Sequence, residues 1–245
     1  MIAIRTQELT KKYKDLVAVD KLNLTINEGE LFSLLGVNGA GKTTTIKMLS
    51  CLTKATSGDA FLFEKSINNN ANEVKSIIAV SPQETAVAPA LTVRENLEFI
   101  CGIYGFTREK SNSKINELIK QLSLDSVTNK KASKLSGGYA RRLSIAMALI
   151  SEPKILFLDE PTLGLDVIAR SELWDIIRTL KGKITIILTT HYMEEAEELS
   201  DRIGIMKNGN LLICDTPEGI KSQTNEGTIE KAFIKVVKGA EKWEC

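Results

Sequence analysis

The spacing of hydrophobic and polar positions changes several times along the 245 residues, and each change marks an element. Residues 2 to 8 and 17 to 27 alternate apolar and polar side chains, the pattern of half-buried antiparallel strands. A turn at Glu28-Gly29-Glu30 leads into the apolar run Leu31 to Leu35, which reads as a buried strand, and a helix is expected from Lys42 to Leu52. Strands follow near Ala60 to Phe63 and Ile77 to Val80. From 92 to 122 the alternation gives way to helical spacing, with Thr92 and Glu95 placed as a capping box, and the helical character extends to about residue 150. After Ile155 the order is strand (ILFL), helix over 167–181, strand over Ile184 to Thr189 and helix over 193–200, which predicts a mostly parallel sheet. Asn208-Gly209, between IGIM and LLIC, marks a hairpin. The last stretch, 226–245, gives no clear pattern and is expected to be a short extension.

Composition narrows the classes. A chain of this length can bury a full core as one α/β domain with an insertion, and no repeat or Pro/Gly/Ser-rich linker divides it. Basic and acidic side chains number 32 and 31, so bulk charge does not point to nucleic acid. The most apolar stretches, Phe99 to Phe106 and Ile145 to Ile150, are far shorter than the roughly 20 residues of a spanning helix, so the chain is not expected to cross a membrane by itself. The N-terminus lacks the features of a signal peptide, and a cytoplasmic location is expected. Cys51, Cys101, Cys214 and Cys245 show no paired spacing and read as reduced thiols; with His191 the only histidine, no metal-ligand cluster is expected.

Two segments carry phosphate chemistry. Residues 36 to 44, GVNGAGKTT, fit G-x-x-x-x-G-K-[ST] between a buried strand and a helix, the context that motif requires. Gly36, Gly39 and Gly41, with Val37, Asn38 and Ala40 between them, permit a loop whose N–H groups turn onto phosphate oxygens, and the helix that follows adds its positive end. Lys42 is placed to reach the β and γ phosphates, Thr43 to put its hydroxyl on Mg2+, and Thr44 completes the nucleotide loop. The run Ile155 to Glu160 ends in two carboxylates at the carboxyl end of a strand, where open α/β sheets bind ligands. Asp159 is placed to hold Mg2+ through water, and Glu160 to polarise the water that attacks the γ phosphate.

At residues 135 to 139 the chain reads LSGGY, ahead of a helical ARRLSIAMALI, and here it resembles the ATP-binding-cassette family, whose signature is usually LSGGQ. The resemblance runs from about residue 2 to about residue 222. It implies a P-loop nucleotide-hydrolase core with a mostly parallel sheet, an N-terminal antiparallel β subdomain and an inserted helical subdomain at about 88–150, all within one domain over 1–225. It further implies that Ser136, Gly137 and Gly138 of one subunit cover the γ phosphate held by another, in a head-to-tail dimer of identical or related chains around two ATP molecules. By the same resemblance Tyr13 stacks on adenine, Gln83 reports on Mg2+ and the attacking water, Asp166 crosses the dimer interface and His191 contacts the γ phosphate. Tyr139 departs from the usual Gln.

PTLGLD, TVRENLEFICGIYG and THYMEEAEELSDRI look most like the ATPases of bacterial exporters of the multidrug, antibiotic-resistance and sodium-export types. That reading implies polytopic membrane permease partners, with this chain peripheral on the inner face of the membrane. Two other readings are weighed against it: a soluble cassette ATPase acting on ribosomes or nucleic acid, and a dimer clamp that binds ATP without hydrolysing it.

Overall fold

In the computed structural model, residues 1–239 are described. Cys245 and the rest of 240–245 lie outside the described residues. Two sheets organise the chain. The first is antiparallel and N-terminal: β1 (Ile2–Tyr13), β2 (Leu16–Leu22), β3 (Thr25–Asn27), β5 (Ser57–Leu62) and β6 (Lys65–Ser66) run in the order β2-β1-β5-β6, with β3 also on β1. The second has the order β11-β10-β4-β9-β8-β7, built from β4 (Leu31–Leu35), β7 (Ile78–Ser81), β8 (Ile155–Asp159), β9 (Thr185–Thr190), β10 (Arg202–Lys207) and β11 (Asn210–Asp215). Its neighbours pair in parallel except at the β10–β11 hairpin. Every residue of β4, β8 and β9 is buried, as expected of strands covered on both faces.

Several boundaries differ from the sequence pattern, each for a local reason. The expected strand over 17–27 is two strands, because β1 is long enough to pair with β2 along its second half (Leu9↔Leu22) and with β3 along its first (Ile4↔Ile26). At the break, Asn23 Oδ1 accepts the Glu8 N–H at 2.9 Å and Asn23 Nδ2 donates to Glu8 Oε1 at 2.7 Å. Helix α1 spans Lys42–Leu49, three residues short of Leu52; the Ser50 hydroxyl donates back to the Ile46 carbonyl at 2.7 Å, and Cys51 takes φ 56°, which ends the helix. A short helix, α2 (Ala71–Ile77), precedes β7 where the sequence pattern suggested none.

The helical segment comprises α3 (Val93–Ile103), α4 (Arg108–Gln121), two 3-10 turns and α5 (Gly137–Leu149). The capping box is present: the Glu95 N–H donates to Thr92 Oγ1 at 3.2 Å, and the Thr92 N–H to Glu95 Oε2 at 2.7 Å. Helices α6 (Val167–Leu180) and α7 (Met193–Leu199) follow β8 and β9. The hairpin turn has Asn208 at φ 49° and Gly209 at φ 81°, the positive values a type I′ turn demands. The C-terminal stretch does hold a helical pattern: after α8 (Pro217–Thr224), helix α9 (Ile229–Lys238) buries Ile229, Ala232, Phe233 and Val236. These i, i+3, i+4, i+7 positions pack with Leu35, Ile203, Ile205 and Ile213 in one core cluster.

Candidate functional site

The carboxyl ends of β4, β8 and β9 lie side by side in register, Leu35 opposite Thr190 and Asp159 opposite Thr189, so the segments that follow them converge. Gly36 leaves β4 where only hydrogen fits: a Cβ there would stand 2.6 Å from the Met206 carbonyl and 2.9 Å from Ala40 Cβ. Gly41 caps α1 at φ 107°, and a Cβ would meet the Ala18 carbonyl at 2.5 Å. No side chain caps α1 and its first turn carries no acid, which leaves a positive helix end facing the loop. Val37, Asn38 and Gly39 are exposed along the loop, while Gly36 and Ala40 are buried beneath it.

Lys42 is 5% exposed, and its Nζ donates to the Gly36 carbonyl at 2.7 Å, folding the side chain back over the loop. The same ammonium lies 3.3 Å from Glu160 Oε1. Thr43 Oγ1 donates to Asp159 Oδ1 at 3.0 Å, and Thr189 Oγ1 donates to that same oxygen at 2.5 Å. Glu160 Oε2 meets His191 Nδ1 at 2.5 Å. Three strand ends therefore bring together a lysine, two threonines, two acids and a histidine.

Glu160 sits at φ 50°, a left-handed conformation that costs a non-glycine residue about 1 to 3 kcal/mol and is tolerated where the surroundings hold it. Here the Glu160 N–H is shared between the Thr189 carbonyl at 3.0 Å and its hydroxyl at 3.1 Å, while Lys42 and His191 hold the carboxylate. A cleft of about 590 Å³ opens over these groups. Tyr13, Asn38 to Thr44, Gln83, Glu160 and His191 line it. Leu16, Val17 and Asn208 line it as well, and nothing in their sequence context marks them out; they arrive through the β1–β2 turn and the β10–β11 hairpin. Tyr13 is 44% exposed at the end of β1, with Lys11 Nζ 4.9 Å from its ring centroid.

Ser136, Gly137 and Gly138 do not reach this cleft. They start α5 elsewhere, with Ser136 as N-cap and Ser136 and Gly137 exposed. Tyr139 bonds within the helical segment, its hydroxyl 3.2 Å from Ser126 Oγ and its ring 5.2 Å from the Arg142 guanidinium. Asp166 caps α6, accepting the Ala169 N–H at 2.9 Å, between exposed Leu163, Val167 and Ile168.

Sequence reasoning missed Arg141. From α5 it donates to the carbonyls of Pro82 at 2.6 Å and Gln83 at 2.5 Å, so the helix behind the LSGGY segment grips the loop bearing Gln83. Burial lowers the pKa of this guanidinium, and Asp159 and Glu195 oppose that shift. The only signal was an arginine on the inward face of an apolar helix.

A cleft at the strand ends, a glycine loop leading into a helix with no side-chain cap, and a second glycine segment that starts α5 behind Ser136 have the layout of an ATP-binding cassette. A family model described as ABC transporter matches residues 19–163, and the chain belongs to that family. It is 38% identical over 240 residues to YbhF of Escherichia coli (strain K12), a probable multidrug ABC transporter ATP-binding protein, covering 96% of this chain and 41% of that one. It is 37% identical over 229 residues to the daunorubicin resistance ATP-binding protein DrrA2 of Streptomyces coeruleorubidus, covering 93% of this chain and 71% of that one. The dimeric structure of the cassette MJ0796 in a post-hydrolysis state bound to ADP and Pi superposes with TM-score 0.77 at 28% identity, covering 87% of this chain and 98% of that one. The chain thus spans less than half the length of YbhF.

Proposed function

We propose that this chain is the ATP-hydrolysing cassette of an exporter, with residues 1–225 as one cassette domain, a helical insert at about 88–150 and 226–245 as an extension that begins with α9. The observation that carries the proposal is the convergence of Lys42, Thr43, Glu160 and His191 on one cleft, with the buried Asp159 hydrogen-bonded to Thr43. ATP enters with its phosphates on the loop over residues 36–44 and its adenine against Tyr13. Thr43 and Asp159 already share a hydrogen bond, so two oxygen donors of the kind Mg2+ prefers stand together, with Gln83 across the cleft as a third. These residues would hold Mg2+, which would supply charge neutralisation of the phosphates. Lys42 holds the phosphates, Glu160 takes a proton from the attacking water, and His191, tied to Glu160, faces the γ phosphate.

Because Ser136 to Gly138 lie outside the cleft, they serve a second copy or a related chain, and exposed Leu163, Val167 and Ile168 beside Asp166 give that dimer an apolar seam. ATP binding closes the two cassettes head to tail, and hydrolysis lets them part.

Among the described residues no helix is long and apolar enough to cross a membrane. In this reading polytopic permease partners hold the chain at the inner membrane face. A groove of about 470 Å³ between α1, β7, α3 and α5 suits a permease segment. Leu52, Ile103 and Tyr104 line it and are each more than half exposed, and its floor includes Pro82, whose carbonyl Arg141 holds. Motion in the groove thereby reaches Gln83. Ile103→Glu should abolish co-purification with a polytopic membrane protein from detergent-solubilised membranes while leaving the ATPase rate of the isolated chain within about twofold, as a surface change distant from chemistry does. Undiminished capture by that variant would place the permease elsewhere, and capture of ribosomes by the unmodified chain would favour the soluble reading.

A further inference from the structure

Four residues past His191, in the first turn of α7, Glu195 is completely buried. One carboxyl oxygen, Oε1, accepts the Trp174 indole N–H of α6 at 3.0 Å. The other oxygen, Oε2, is buried as well, near the hydroxyls of Thr190 and of Thr162, the latter from the segment between Glu160 and Asp166. Burial is the main cause that raises the pKa of Glu195; the Thr190 and Thr162 hydroxyls and the Trp174 indole oppose it, and the charge of Glu160 adds to it. The group is therefore held toward its neutral form. A helix needing only an acid near its positive end has Glu194, which is exposed, so that role does not explain a buried carboxyl.

The contacts form a brace. Trp174 and Arg170 lie one turn apart on α6, and both touch the segment that carries His191: Trp174 through Glu195, and Arg170 through Tyr192, its guanidinium 4.6 Å from that ring centroid. Tyr192 in turn stands 4.2 Å, ring to ring, from His191, and its N–H donates to Thr190 Oγ1 at 2.9 Å. His191 in turn meets Glu160.

We propose that Glu195 is a positioning residue of the ATPase site: its buried carboxyl, tied to Trp174, sets where the His191 loop stands against Glu160. Through α6, whose N-cap is Asp166, the same tie makes the placement of His191 depend on the segment at the proposed dimer seam. This role rests on the proposed ATP hydrolysis. No part of it requires Glu195 to touch nucleotide.

The test is steady-state ATP hydrolysis and thermal melting of the full chain as wild type, Glu195→Gln, Glu195→Ala and Trp174→Phe. Glutamine keeps the shape and the acceptor of a neutral carboxyl, so Glu195→Gln should hold kcat within about twofold. Glu195→Ala should lower kcat about 10- to 100-fold with KM for ATP unchanged, the signature of a displaced group acting only in the transition state. Trp174→Phe, which removes the donor and keeps an aromatic ring, should lower kcat about 3- to 10-fold, again without a change in KM. If Glu195→Ala does not fold, the tryptophan variant decides. Wild-type kcat in Trp174→Phe or Glu195→Ala, equal losses in Glu195→Gln and Glu195→Ala, or losses in which KM rises and melting falls in parallel would each overturn the positioning role. A wild-type chain with no turnover would instead overturn the ATPase reading itself.

Discussion

Replacing Glu160 by glutamine is expected to cut ATP turnover about 100- to 10,000-fold, the range a positioned general base contributes. The amide has nearly the same shape, so it fills the same space between Lys42 Nζ, 3.3 Å away, and His191 Nδ1, but it cannot accept a proton from water. Nucleotide affinity should hold or rise, because the variant removes the negative charge of a carboxylate only 7% exposed that, in the proposed site, faces the γ phosphate. ATP bound but not consumed should then accumulate as a closed dimer, seen as a doubling of mass in size-exclusion chromatography with light scattering when ATP is added. Full turnover by the variant would sink the assignment of Glu160 as base.

Lys42→Ala acts one step earlier. The ammonium is nearly buried, held over the loop by the Gly36 carbonyl at 2.7 Å, so its charge is screened little by water and is aimed at whatever anion the loop holds. A hydrogen bond to a charged group is worth about 1.5 to 3 kcal/mol, which predicts an ATP Kd raised roughly 10- to 150-fold, measurable by titration calorimetry. The two variants are thereby separable: one binds and does not turn over, the other fails to bind. Unchanged affinity in Lys42→Ala would mean that the loop does not cradle phosphate.

How legible the site was depended on whether its residues are neighbours in the chain. The loop over 36–44 could be read directly, since strand, glycines, lysine and helix follow one another and each constrains the next. Asp159 and Glu160 were legible for the same reason, as the end of an apolar run. Tyr13 and Gln83 were assigned roles only through family resemblance, because nothing beside them in sequence distinguishes a functional tyrosine or glutamine from a structural one; His191, the one histidine, also follows a buried β run that could carry it to the carboxyl end of the sheet. Arg141 and Glu195 were not found at all. Each is a charged residue in an ordinary helical pattern, and its importance lies in what burial does to it and in contacts 21 or more residues away, Trp174 for one and Pro82 for the other.

The chain order of strands and helices, the parallel character of the main sheet, the hairpin at Asn208-Gly209 and the phosphate loop follow from the sequence by itself, since each is governed by local conformational preference and the spacing of apolar side chains. Only tertiary structure decided that β4, β8 and β9 end in register, that the helix start expected at LSGGY lies outside the cleft, and that Lys42 and His191 both stand within hydrogen-bonding or ion-pair distance of Glu160. Those distances depend on strand pairing between segments far apart in the chain, and pairing of that kind is set by how the whole core packs.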